Sequence, residues 1–145
     1  MDALQVIEST ILRDTLLTIP AITGLVELEG AAGQYKIFWE DVPDKIGAPY
    51  IVLTHLSGGF DNDTQSQASN SLWKVSGFTA NKATALALAN AVSQLHRMMP
   101  IHTAYPDAPP YHWLEERLPI FENKSVENTK TYTVGGFYQI KLSHN

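Results

Sequence analysis

The chain has 145 residues, 44% of them hydrophobic and only 17% charged, which suits one compact domain and excludes a disordered chain. Its 10 Lys and Arg against 15 Asp and Glu leave a net charge of −5, a poor match for DNA or an anionic membrane surface, whose binding rests on cations. With no cysteine, disulfides, thiol nucleophiles and thiolate metal sites are excluded.

In chain order, Asp2 to about Thr18 reads as an amphipathic helix, with Leu4, Ile7, Ile11 and Thr15 on one stripe and Asp2 as its cap. Pro20 stops that pattern, and Ile19–Gly24 reads as a turn. Tyr35–Glu40 is a short strand rich in β-branched and aromatic residues. Asp41–Pro49 is a loop, and Tyr50–Leu56 is the most apolar strand, ended by Gly58-Gly59. Placing a charge in that strand, as in Val52→Asp, is expected to abolish folding. Phe60–Ser71 is polar and small, and reads as an exposed hairpin arm that could be shortened over Asp61–Asn70 without loss of fold.

The next strand, Leu72–Thr79, places Trp73, Val75 and Gly77 on one face; Trp73 and Phe78 read as core. Asn81 caps a helix from Lys82 to about Met98 whose stripe is Leu88, Val92, Leu95 and Met99. Its alanines, Ala83, Ala85, Ala87, Ala89 and Ala91, favour the helix and allow close approach to a sheet. Ile101–Pro110 is irregular, Tyr111–Asn123 is a strand interrupted at Pro119, and Lys130–Ser143 alternates around a Gly135-Gly136 kink that reads as a bulge. These faces are all buried at once by an α+β fold. Two main helices pack on one face of a mainly antiparallel sheet of roughly four to five strands, with an extended polar hairpin arm. No apolar run reaches the roughly 18 residues of a membrane span, and Met1-Asp2-Ala3-Leu4 lacks the basic start of a signal peptide. The expectation is a soluble, cytosolic single domain over residues 1–145.

No constellation of catalytic or metal-binding residues emerges. The histidines, His55, His96, His102, His112 and His144, lack the close spacing of zinc ligands. Asp61-Asn62-Asp63 resembles the start of a calcium loop, but Ser66 and Leu72 stand where glycine and glutamate are needed. Glu115-Glu116 are adjacent on a strand and point to opposite faces. Ser57-Gly58-Gly59 follows a strand but leads into the polar arm rather than a helix, so it is no nucleophile elbow. The expectation is no enzyme activity, no cofactor and no metal. Trp113, within Pro109-Pro110-Tyr111-His112-Trp113, sits where either a core or an interface aromatic fits.

The order of a leading helix, a short strand, Ala48-Pro49-Tyr50-Ile51-Val52-Leu53, a polar arm, a strand–helix pair and a final Gly-Phe-Tyr-Gln-Ile-Lys-Leu strand resembles the tail terminator, or tail completion, proteins of long-tailed bacteriophages. The resemblance covers essentially the whole chain in element order. It implies an α+β structural protein of the virion, at the tail–neck junction and assembled in the host cytoplasm. Six copies would form a ring that caps the tail tube, ends its polymerisation and docks the head. The implied partners are a homo-hexamer, the major tail tube protein and a head-side neck or stopper protein. Genomic DNA would pass through the ring unbound, and no membrane is involved. A charge of −5 per chain becomes about −30 over six copies, which suits a bore that repels phosphates.

Candidate interface residues on this reading are Phe60, Asp61, Asn62, Asp63, Thr64 and Gln65 in the arm, with Tyr111 and Trp113. The segment Ile101–Asn128 departs from the family by its length, prolines and aromatic residues. A head-completion stopper or neck adaptor is the nearest alternative, and a small ligand-binding or metal-dependent enzyme domain using His55 or His102 is the next.

Overall fold

The computed structural model describes residues 3–28, 30–31, 33–43, 46–60, 67–97, 112–117, 120–124 and 130–144. Helix α1 spans Ala3–Leu16, two residues short of the expected end. Its buried stripe is Glu8, Ile11, Leu12, Thr15 and Leu16, at the i, i+3, i+4, i+7, i+8 spacing of one helical face. Thr15 is tolerated there because its hydroxyl donates to the Ile11 carbonyl at 2.8 Å. The expected cap, Asp2, lies outside the described residues.

The segment after α1 is a second helix rather than a turn. Helix α2 spans Pro20–Val26, and Ile19 before it is extended (φ −89°, ψ 109°). Pro20 therefore has two effects: it keeps Ile19 out of the helical region, and it opens a new helix at the position where its missing N–H is not needed. Ile22 and Val26 are buried.

Strand β1 (Ile37–Trp39) pairs in parallel with β2 (Tyr50–Phe60), through Ile37–Ile51, Phe38–Val52 and Trp39–Leu53. β2 runs antiparallel to β3 (Gln67–Thr79), and β3 antiparallel to β6 (Lys130–His144). β4 (His112–Arg117) and β5 (Phe121–Lys124) both pair antiparallel with β6, opposite β3. The sheet has six strands in the order β1-β2-β3-β6-β4, with β5 beside the other part of β6. The fold is α+β. The expected interrupted strand resolves into β4 and β5, which accounts for the additional strand.

Two expectations about glycines are corrected. Gly58-Gly59 does not end β2: the ladder continues through Gly59–Asn70 to Phe60–Ser69. β3 lies between β2 and β6 along this stretch, and pairing on both of its sides sustains the ladder where glycine propensity is poor. Residues 67–71 accordingly belong to a strand, and shortening the arm as far as Asn70 would cut the ladder. The bulge lies in β2, between His55 and Ser57, whereas the β3–β6 register is unbroken through Gly135-Gly136. Gly135 instead answers a close approach. It has φ +134°, and a Cβ there would overlap the Val75 carbonyl oxygen.

Helix α3 spans Lys82–Ser93 and passes into a short 3-10 helix, Gln94–Arg97. The Asn81 side chain accepts from Ala83 N at 2.8 Å and Thr84 N at 3.1 Å, satisfying two orphan donors of the first turn. Leu88, Val92 and Leu95 are fully buried; Met99 lies outside the described residues.

All three helices cover one face of the sheet. Its core residues are Ile51 and Leu53 from β2, Trp73 and Val75 from β3, and Val134, Tyr138 and Ile140 from β6. They meet Leu12, Leu16, Ile22, Leu88 and Val92 from the helices. The Tyr138 hydroxyl donates to the Val92 carbonyl at 3.1 Å, tying α3 to β6. Gly77 lets α3 lie close, since a Cβ there would stand 2.5 Å from Leu88 Cδ2. Val52 is half-buried on the other face, because strand neighbours alternate. The charge that would disrupt this core belongs at Leu53, not Val52.

Candidate assembly surface

The sheet face opposite the helices carries an aromatic row built from three strands. Phe38, Tyr50 and Phe78 stand in adjacent register through Phe38–Val52 and Tyr50–Phe78. Tyr50 stacks on Phe78 with centroids 5.1 Å apart, and Phe38 meets Tyr50 edge-on at 6.4 Å. All three are half-buried. Phe78 is therefore not a core residue: its side chain faces away from the helices, one step out of phase with buried Gly77 and Thr79. Offset and edge-on aromatic pairs are worth about 0.5–1.5 kcal/mol beyond the area they bury, so the row is self-supporting.

At the opposite end of the sheet β2, β3 and β6 run on together, with β4 alongside β6. Ser57, Gly58 and Gly59 pair with Leu72, Ser71 and Asn70, which pair in turn with Gln139, Ile140 and Lys141. Leu56, the extra residue of the bulge, is 44% exposed, one of the few large apolar side chains at the surface among the described residues.

The candidate contact residues distribute unevenly over this surface. Phe60 is the last residue of β2 and pairs with Ser69. Trp113 lies in β4, in register with Ile140. Asp61, Asn62, Asp63, Thr64, Gln65 and Tyr111 lie outside the described residues. Phe60 and Trp113 are thus on strands at opposite edges of the sheet, and the ladder does not bring them together within one chain.

The histidines are scattered. His55 sits in β2 with its ring edge-on to Trp73 at 5.1 Å, His96 is exposed, and His102 lies outside the described residues. His112 and His144 fall in β4 and at the end of β6. Among the described residues no group of three His, Asp or Glu side chains could hold a metal ion. Glu115 and Glu116 pair with Tyr138 and Phe137, successive positions of β6, and so belong to alternate rows.

One polar residue was not legible as special. Glu8 is fully buried on α1, and its Oε1 accepts from Trp73 Nε1 at 3.3 Å. His55 touches the same indole. The available signal was its position, since Glu8 falls on the i−3 and i−4 steps from Ile11 and Leu12. Lys36 is likewise buried, and its Nζ donates to the Gly47 carbonyl at 2.8 Å. Both groups hold structural elements in place, Glu8 joining α1 to β3 and Lys36 joining the start of β1 to the Gly47 loop.

No helix of the described residues is long and apolar enough to cross a membrane. No protein family matches the chain by sequence, and no curated protein does. Among solved structures the chain is similar to one chain of "Virion of native gene transfer agent (GTA) particle". The similarity has a TM-score of 0.64 and 14% identity, and covers 99% of this chain and 100% of that one. At such identity the likeness establishes a shared fold.

Proposed function

We propose that this protein is a structural component of a phage-type virion, a tail terminator that assembles as a six-fold ring on the end of the tail tube. The ring would end addition of tube subunits and present the surface on which the head-side neck docks. The observation that carries this reading is a fold shared over essentially the full length of both chains with a virion protein. It coincides with an element order that resembles tail terminators.

Two physical features support it. A half-buried aromatic row, Phe38–Tyr50–Phe78, lies on the sheet face opposite the packed helices, and aromatic residues are enriched where proteins meet. A net charge of −5 per chain gives a ring that does not retain DNA passing through it. The role is one of assembly rather than catalysis, with no cofactor.

The reading is tested by adding the purified protein to tail tube subunits polymerising on their initiator. The expected result is tubes that stop growing, with a ring of six copies at one end by electron microscopy. Rings that bind the head portal and leave tube growth unaffected would contradict termination and move the assignment to a head-completion stopper.

A further inference from the structure

The two edges of the sheet differ in how they are finished. On one side β1 covers only Ile51, Val52 and Leu53 of β2, and a bond from Glu40 N to the Leu53 carbonyl at 2.9 Å closes that contact. Beyond it, among the described residues, no strand pairs with that side of β2 through Phe60. On the other side β4 ends the order, and no described strand pairs with its outer side.

These open edges lie at the same level. Following the register across the sheet, Ser57, Leu72, Gln139 and Leu114 form one row, and Gly58, Ser71, Ile140 and Trp113 the next. Gly59, Asn70, Lys141 and His112 form the third. The polarity also matches. β2, β3, β6 and β4 alternate in direction, so β4 is antiparallel to β2, and a copy placed beside β2 in the same orientation would continue the alternation.

Native sheets usually blunt exposed edges with charge or proline. The β2 edge from Leu56 to Phe60, Leu-Ser-Gly-Gly-Phe, has neither. Its glycines permit close approach of another backbone, and Leu56 is exposed beside them. On β4 the charged residues Glu115, Glu116 and Arg117 fall in the rows of His55, Thr54 and Leu53. The His112–Leu114 rows, where β4 carries no Asp, Glu, Lys or Arg, are those level with open β2. The charges thus stand toward the end of the edge that β1 already covers.

We infer that successive copies of this chain join head to tail by antiparallel pairing of β2 (Ser57–Phe60) of one copy with β4 (from His112) of the next. This rests on the ring reading above and supplies its interface. Such a contact is heterologous: it uses two different surfaces and repeats from copy to copy, giving a ring when the rotation between copies closes. A two-fold contact, β2 against β2, would stop at a dimer.

The absence of native cysteine makes the test direct. Ser57→Cys and Leu114→Cys are made singly and together, with Gly59→Cys and His112→Cys as a second pair two rows further along the same register. Each is assembled and oxidised, and copy number is read by native mass spectrometry in the same samples. The expected result is a ladder of disulfide-linked copies, up to the closed ring, from a double-cysteine chain. Co-assembled single variants should give linked dimers at least tenfold in excess of either alone. Rings without crosslinks from either pair would overturn the edge pairing and leave the ring standing. Homodimers from Ser57→Cys alone would show a two-fold contact and overturn it as well. A chain that stays monomeric and uncrosslinked would contradict the edge pairing and the ring together.

Discussion

Gly77 and Leu88 occupy one another's space, and substituting them singly and together tests how α3 sits on the sheet. A Cβ at Gly77 would lie 2.5 Å from Leu88 Cδ2, 3.1 Å from Leu88 Cγ and 3.1 Å from Val134 Cγ2. Gly77→Ala therefore forces α3 outward or Leu88 off its rotamer, and overpacking of this kind costs about 1–3 kcal/mol. Leu88 is fully buried, and Leu88→Ala is expected to cost about 2.7–5 kcal/mol in lost transfer energy and residual cavity.

In the Leu88→Ala background the two closest atoms are gone. The added methyl then fills part of the cavity and gains about 0.8 kcal/mol of burial, while the strand position accepts alanine with less unfolded-state entropy than glycine. Only Val134 must yield. Gly77→Ala should thus change sign, from destabilising in the native background to neutral or stabilising in Leu88→Ala. The coupling should be at least about 1 kcal/mol, within the range seen for residues in contact. Urea titration of the four chains, followed through the fluorescence of buried Trp73, measures the cycle. Free energies that add to within about 0.3–0.5 kcal/mol, the behaviour of independent sites, would refute the packing of α3 described here.

Two further predictions concern local structure. Asn81→Ala removes the acceptor for Ala83 N and Thr84 N and should lower stability by about 0.5–2 kcal/mol, read as a shift in urea midpoint at unchanged slope. Leu53→Asp, at a fully buried core position, should yield no folded protein, whereas Val52→Asp on the half-buried outer face should give soluble chain with native circular dichroism.

The parts of the fold legible in the sequence are those where one local signal has one physical meaning. Asn81 before an alanine-rich apolar stripe could only open a helix, and Trp73, Val75 and Gly77 alternate because a half-buried strand must. What escaped depends on partners distant in sequence. Pro20 reads equally as a stop and as a first helical residue, and only the burial of Ile22 and Val26 decides. Gly58-Gly59 reads as a strand end until β3, itself held by β6, supplies the ladder. Val52 lies in so apolar a strand that both faces look like core. The outer face is apolar as well, through Phe38, Tyr50 and Phe78, and this erased the alternation that would have separated them. The candidate surface was legible in the same degree: Phe60 and Trp113 fall on open sheet edges, but that these edges share a level follows from register alone.

The role proposed for the protein is to end tail growth and join tail to head. That role is tested most directly by electron microscopy of particles made by the encoding genome with a stop codon at Trp73, a change that removes most of β3, all of α3 and strands β4, β5 and β6. Overlong tails of irregular length beside filled, unattached heads are expected. Tails of normal length joined to heads would contradict it.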